Sequence, residues 1–213
     1  AADDGTWWIV RAPVTNDGGY LISSYTASYG AGSNDILFIK TDSAGNLQWA
    51  KTYGGPGDEQ SRFSYQVKSG NLVSTGYTAS FGAGGRDYYL LYTDSAGNLL
   101  WFRTYGSTGD EKSMGVQEVS DGGFVMCGNT SSAPFGANNY DIYFIKTDSA
   151  GSTTCYSNPA TPTVNNVTPS VISITPTVTS PTAVASPAIS VGNYSPTLNR
   201  LCIQCYFEAK YTY

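Results

Sequence analysis

The sequence contains no histidine, and this absence narrows the chemistry that is open to the chain. Histidine is the usual general base near neutral pH and the commonest metal ligand in proteins. Catalysis would therefore have to depend on carboxylates, tyrosine, lysine or cysteine. We accordingly expect a protein that is not an enzyme and that needs no cofactor and no metal ion.

Basic residues and long apolar runs are also scarce. The chain has 11 Lys and Arg against 16 Asp and Glu, which gives a net charge of −5. The basic residues occur singly, so nucleic acid is not an expected partner. The sequence has no apolar run of about 20 residues, the length that a membrane-spanning helix needs. The small residues at 1–3 fit cleavage by a signal peptidase, or a start introduced for expression.

Glycine, serine, threonine and tyrosine are abundant, whereas charged residues make up only 13% of the chain. This balance is typical of β-rich extracellular proteins rather than of helical cytosolic ones. A chain of 213 residues is long enough to bury a core in one large domain or two small ones. We expect the protein to be extracellular or on the cell surface.

The most informative feature of the sequence is internal repetition. The segment TDSAGN at residues 41–46 recurs at 93–98, and TDSAG returns at 147–151. Three units align around these segments, at about residues 7–55, 61–106 and 113–158. Their period is in the range of β-propeller blades.

Each unit is predicted to contain short antiparallel β-strands. Asp-Gly pairs such as Asp17-Gly18 separate two apolar runs, which predicts a hairpin. The DSAGN segment predicts a second hairpin, because Asp and Asn bond their own backbone and Gly allows positive φ. Trp49 and Trp101 occupy matching positions after this turn, and we expect them to pack one sheet against the next.

The pattern DGGY…DxxFIKTDxxGNLxWxKTYGG resembles the β-propeller-type repeats of secreted and cell-surface bacterial and archaeal proteins, over roughly residues 7–158. The resemblance implies an all-β, β-propeller-like array of three four-stranded antiparallel repeats and says almost nothing about function. A Cys-flanked Thr/Pro-rich tract after the last repeat is also similar to some of these proteins. A closed propeller needs about four blades or more, so three repeats leave sheet faces and strand edges that need partners.

Residues 159–213 are predicted to form an extended, β-rich, Thr/Pro-rich tail. Val and Ile alternate there with Ser and Thr, which suits an edge strand; a disordered or glycosylated stalk is the alternative. The end of the chain also alternates. Its apolar residues would form an assembly strand on the sheet of another subunit, or a final strand of their own domain: Leu201, Ile203, Cys205, Phe207 and Ala209.

The chain has four cysteines: Cys127, Cys155, Cys202 and Cys205. In a secreted protein these predict structural disulfides, and a bridge from Cys155 to either of the last two would hold the tail against the repeats. Four cysteines allow three full pairings, and the sequence does not choose among them. The C-x-x-C at 202–205 is otherwise a weak redox or zinc signal.

Repeated carboxylates are the main candidates for chemistry. Asp35, Asp87 and Asp141 open the third strand of each repeat, where they could line a channel or bind calcium, although bonding of backbone amides is favoured. The DSAG turns begin with Asp42, Asp94 and Asp148, which are interpreted as turn caps rather than calcium ligands.

Adjacent carboxylates occur in two corresponding loops, as Asp58-Glu59 and Asp110-Glu111. Paired carboxylates carry out glycoside hydrolysis. Neighbours in a repeated loop are more often part of a solvated turn, which is the interpretation we favour for both.

Exposed aromatic residues and glycosylation signals are the remaining candidate functional sites. Tyr29 and Phe81, in the glycine-rich loops, could stack on sugars, although most aromatic residues of β-repeat proteins pack inside. Three N-x-S/T sequences make candidate glycosylation sites, which matter only if the source glycosylates: Asn129, Asn166 and Asn193.

Together these features predict an extracellular structural protein. We expect a subunit of a self-assembling homopolymer, either a surface filament or a layer, in which the tail or the terminal strands bridge neighbouring subunits. The alternative is a secreted binding or adhesion module whose loops recognise a glycan or a protein.

Overall fold

The computed structural model describes residues 4–5, 12–135, 139–154, 157–160 and 163–166. Within these ranges the regular structure is β-strand, apart from a single 3-10 turn at Ala133–Phe135. The predicted all-β class is therefore confirmed. In the same ranges no helix is long and apolar enough to cross a membrane.

The strands of the three repeats form three antiparallel sheets, here called the first, second and third sheet. The first contains β1 (Asp4–Gly5), β2 (Tyr20–Thr26), β3 (Asp35–Thr41) and β4 (Leu47–Gly54). The second contains β5 (Glu59–Gln66), β6 (Leu72–Thr78), β7 (Asp87–Thr93) and β8 (Leu99–Tyr105). The third contains β9 (Glu111–Glu118), β10 (Phe124–Thr130) and β11 (Asp141–Lys146).

The expectation of four strands in every repeat is confirmed for the second repeat. The described part of the first repeat, residues 12–55, contains three strands, and most of its predicted first strand lies outside the described residues. The expectation is wrong for the third repeat. Its sheet has the order β11-β10-β9, with no fourth strand among the described residues. The sequence explains the difference, because the turn at 147–151 is followed by STTCYSNPA and not by a counterpart of NLQWAKTY or NLLWFRTY. The third repeat thus lacks the segment that forms β4 and β8 in the first two.

Two strands from the start of the tail complete the other sheets. β12 (Ser157–Ala160) pairs with β8, and β13 (Thr163–Asn166) pairs with β4, both antiparallel. Each becomes the fifth and outermost strand of its sheet. Pro159 lies in β12, consistent with the confinement of proline to sheet edges. The predictions for residues 167–213 fall outside the described residues.

The DSAGN hairpins form as the sequence predicts. In the first, the Asp42 carboxylate accepts hydrogen bonds from the backbone amides of Ala44 and Asn46, at 2.9 and 2.8 Å. Gly45 has a φ of 85°, which residues with a Cβ atom rarely adopt. Asp94 and Asp148 cap the other two turns through corresponding bonds. These aspartates are therefore turn caps.

The second sheet lies between the other two and is buried on both faces. Successive residues of β7 point in opposite directions, because side chains alternate along a strand. Tyr88 and Leu90 join a core shared with the third sheet, whereas Tyr89 and Leu91 join a core shared with the first. All four side chains are fully buried. The molecule is thus a stack of three sheets held by two apolar layers.

Candidate functional site

Two pairs of buried carboxylates lie where neighbouring sheets meet. Asp35 at the start of β3 approaches Glu59 at the start of β5, with Gly54 between them: an oxygen of each carboxylate reaches the place that a Cβ atom on Gly54 would occupy. Asp87 and Glu111 have the same relation across the second and third sheets, around Gly106. The close approach of two carboxylates at each junction requires glycine there. The pairing joins residues of successive repeats, so spacing within one repeat gives no signal for it.

The two glutamates are fully buried, so the interpretation of both loops as solvated turns is wrong for them. Glu59 accepts hydrogen bonds from the amides of Gly55 and Ser80, at 2.8 and 3.1 Å, and from the hydroxyl of Thr78 at 2.8 Å. Glu111 accepts hydrogen bonds from the amide of Ser107 and from the hydroxyls of Thr130 and Ser132. Each glutamate thereby ties the loop before its strand to the loop after the next strand.

The aspartates of these pairs accept hydrogen bonds from backbone amides of the glycine-rich loops. Asp35 accepts hydrogen bonds from the amides of Ala31 and Gly32, at 3.0 and 3.3 Å, and Asp87 does the same with Ala83 and Gly84. This is the structural role that the sequence favoured. Asp141, the third member of the series, is exposed at the start of β11. No strand of a further sheet packs beside it in the part of the chain that the structure describes.

The Asp87 carboxyl of the second pair has an unusually high pKa. Burial raises the pKa of the Asp87 carboxyl from 3.8 to about 6, and the nearby Glu111 and Asp110 carboxylates act in the same direction. Burial also raises the pKa of Asp35. One oxygen of each aspartate, Oδ1, is buried with no hydrogen-bond partner among the described residues. A proton on Asp87 would relieve the repulsion between the paired carboxylates.

The other carboxylates of these loops belong to a surface cluster of charges. Asp58 accepts hydrogen bonds from the Tyr77 hydroxyl at 3.0 Å and lies 3.5 Å from the Arg86 guanidinium. Arg86 also contacts Asp110 at 3.5 Å and lies 5.0 Å from the centre of the Tyr77 ring. The Lys112 ammonium also lies 3.6 Å from the Asp110 carboxylate. The Arg86 guanidinium thus lies between the carboxylates of Asp58 and Asp110 and offsets their negative charge.

Both tryptophans singled out in the sequence lie between sheets. Trp49 packs against the first–second core and contacts the turn around Gly97 of the second sheet. Trp101 stacks on Tyr92 with the ring centres 4.9 Å apart, and it contacts Phe124 and the turn around Gly151 of the third sheet. Each tryptophan therefore packs on the repeated turn of the next sheet.

The two loop aromatics differ from each other. Tyr29 is exposed, as a sugar-stacking residue would need to be. Phe81 is half-buried and makes an edge-to-face contact with Phe102, with ring centres 5.7 Å apart. The expectation that Phe81 is exposed is therefore wrong, because the ring folds back onto the first–second core.

The structure describes only some of the predicted modification sites. Cys127 is exposed on β10 and forms no disulfide with a described residue, whereas Cys155, Cys202 and Cys205 lie outside the described ranges. The predicted disulfides remain predictions. Asn129 lies half-buried within β10, Asn166 is exposed in β13, and Asn193 is not among the described residues. Leu201, Ile203 and Phe207 of the predicted assembly strand also lie outside them.

The most exposed apolar surface is on the third sheet, on the face that points away from the second. On β11, Ile142 is 71% exposed and Phe144 is partly exposed; on β9, Met114 is 50% exposed. Ile36 and Tyr88 occupy the place of Ile142 in the first two sheets, and both are fully buried by the next sheet. The third sheet thus presents to solvent a face that its two counterparts bury.

The described part of the chain contains no cluster of three or more side chains suited to hold a metal ion. Its distinctive features are instead the repeated junctions between sheets and the uncovered end of the stack. Comparison of the chain with known protein families and with curated proteins finds no match.

Proposed function

We propose that the protein is an extracellular structural subunit that assembles with copies of itself into a surface filament or layer. The observation that carries this proposal is the uncovered apolar face of the third sheet, whose equivalents in the first and second sheets are buried. A stack of three sheets that does not close on itself supports repeated contacts of one kind from copy to copy. Such head-to-tail contacts generate open polymers when they do not close into a ring.

The resemblance to β-propeller-type repeats also supports the proposal. The three successive sheets share the same turn, and both junctions between them repeat the carboxylate pair and the tryptophan contact. This is the arrangement expected of neighbouring blades. Three blades are too few for a ring, so we propose an open array. The sparse charge and the predicted disulfides among Cys127, Cys155, Cys202 and Cys205 are typical of a protein that works outside the cell.

A role as an adhesion module is the second candidate, and the exposed ring of Tyr29 favours it. The packing of Phe81 against Phe102 leaves that loop without a matching aromatic platform. Of the two loop aromatics, Tyr29 and Phe81, only Tyr29 is exposed, and one ring makes a weaker glycan site than a pair. Self-assembly is therefore the function that we favour.

Sedimentation velocity and negative-stain electron microscopy of the full chain over a wide concentration range test the proposal. We expect a monomer at low concentration and long, uniform assemblies at high concentration. A chain that stays monomeric throughout and binds an immobilised glycan in a saturable way would contradict assembly and favour adhesion.

A further inference from the structure

The third strand of the third sheet has an open edge. β3 is paired on both sides, with β2 and β4, and β7 lies in the same way between β6 and β8. β11 pairs with β10 alone within the described ranges. The open edge of a strand presents backbone amides and carbonyls that can pair with another chain.

The residues along this edge are apolar where solvent reaches them. Tyr140, immediately before β11, and Ile142, within it, are 55% and 71% exposed. Natural edge strands are usually protected by charges placed within them, by proline or by a bulge. β11 has the sequence DIYFIK, whose charges stand at its two ends only, and its pairing with β10 is regular. The centre of β11 therefore lacks the charges, proline or bulge that would prevent pairing with another strand.

The same chain already supplies strands to edges of this kind. β12 and β13 come from the tail, and each adds an antiparallel strand to the outer edge of a repeat sheet. β12 joins the second sheet, and β13, which follows it in the chain, joins the first sheet. The tail thus runs from the third sheet towards the opposite end of the stack, away from β11 of its own chain. In a head-to-tail assembly, the first sheet, where β13 pairs, faces the third sheet of the next copy.

We propose that β11 is the acceptor for the C-terminal segment 201–209 of a second copy of this chain. The segment alternates apolar residues along one face, namely Leu201, Ile203, Cys205, Phe207 and Ala209. Paired with β11, it supplies the fourth strand that the third repeat lacks. Side chains directly opposite each other in antiparallel strands lie about 4.5–5.5 Å apart, so apolar residues of the segment shield Ile142 and Phe144. This inference rests on the proposed self-assembly and identifies the contact that produces it.

Two full-length variants and their mixture test the pairing. Ile142→Lys places a charge in the centre of the acceptor strand, and Ile203→Lys places one in the donor segment. Leu100→Lys is the matched control, because Leu100 is 50% exposed on the second sheet, between the two ends of the stack. Circular dichroism and thermal unfolding of each variant verify that it is folded before its assembly is compared.

We expect Leu100→Lys to assemble like the wild type and each of the other two variants to stay monomeric. Their equimolar mixture should form dimers and nothing longer, because the Ile203→Lys copy keeps a usable β11 and the Ile142→Lys copy keeps a usable tail. Assembly of the wild type that neither substitution alters would overturn the pairing while leaving the proposed function standing. A wild type that is monomeric at every concentration would overturn both. A mixture that stays monomeric indicates pairing within one chain and also overturns the inference.

Discussion

The hydroxyl of Tyr53 in the first sheet donates a 2.7 Å hydrogen bond to the carbonyl oxygen of Gly97 in the second. Tyr105 and Gly151 repeat this relation between the second and third sheets, at 2.6 Å. Gly97 and Gly151 both belong to DSAG turns, so the turn is not only a hairpin. It is also the surface on which the preceding sheet docks, through one tyrosine and one tryptophan each time.

Substitution of either tyrosine by phenylalanine is expected to weaken the docking. Tyr53→Phe and Tyr105→Phe each leave a buried carbonyl oxygen without its donor and should lower the free energy of unfolding by about 1–3 kcal/mol. Tyr29→Phe is the control, since Tyr29 is exposed, and it should change stability by less than about 0.5 kcal/mol. Urea denaturation followed by tryptophan fluorescence measures the difference. Equal stability of all three variants would show that the bonds contribute nothing.

Because Gly97 lies at a junction between sheets and Gly45 does not, replacing them by alanine is expected to lower the free energy of unfolding by different amounts. Gly97 has a φ of 74°, and a Cβ atom there would lie 2.8 Å from the Trp49 ring, whereas Gly45 has a φ of 85° with nothing within 4 Å. Gly45→Ala should cost only the backbone strain, about 1–2 kcal/mol. Gly97→Ala should cost about 1–3 kcal/mol more, because the methyl group overpacks the junction between sheets. Denaturant titrations of both variants measure the gap, and similar losses would contradict the proposed docking role.

A third prediction concerns the aspartate caps. Asp94→Ala removes hydrogen bonds of 2.9 Å to the Ala96 amide and of 2.8 Å to the Asn98 amide. It should lower the melting temperature, with a loss of about 1–2 kcal/mol, because the turn that receives Trp49 is no longer held. Ser95→Ala, at an exposed position of the same turn, should be neutral. Differential scanning calorimetry compares the two variants, and an unchanged Asp94→Ala would mean that Gly97 alone maintains the turn.

The raised pKa of Asp87 predicts how stability depends on pH. The folded-state pKa of about 6 lies above the ordinary value of 3.8, so between these limits the folded chain binds more protons than the unfolded one. This group therefore destabilises the fold above pH 6, and the penalty is relieved as the pH falls towards 4. Asp87→Asn removes the negative charge that the carboxylates of Glu111 and Asp110 repel.

We expect Asp87→Asn to be more stable than the wild type at pH 7, by about 1–3 kcal/mol, with an advantage that shrinks between pH 6 and pH 4. Asp141→Asn is the matched control, because Asp141 holds the same place in the repeat but is exposed. Urea denaturation at several pH values measures both variants. A constant difference between Asp87→Asn and the wild type across this range would contradict the raised pKa.

Repetition made much of the fold predictable. Each DSAG turn contains its own capping aspartate and a glycine that accepts positive φ, so local chemistry alone determines the hairpin. Strand three was likewise evident in DILFIKT, DYYLLYT and DIYFIK, because apolar and β-branched residues fill it. The burial of Glu59 was missed, since a glutamate next to an aspartate in a glycine-rich loop is ordinarily solvated. Its burial depends on donors 19 and 21 residues further along the chain, at the far end of the same β5–β6 hairpin: Thr78 and Ser80.

The sequence by itself determined most of the local elements of this protein: the strands around each turn, the DSAG turns and the presence of three repeats, because each depends on residues close together in the chain. Only the tertiary structure decided which sheet lies in the middle, which carboxylates meet at Gly54 and Gly106, and where the start of the tail pairs. Those relations join residues that are far apart in sequence. They are chosen by the burial of apolar faces and by hydrogen bonds between repeats, which no single repeat contains.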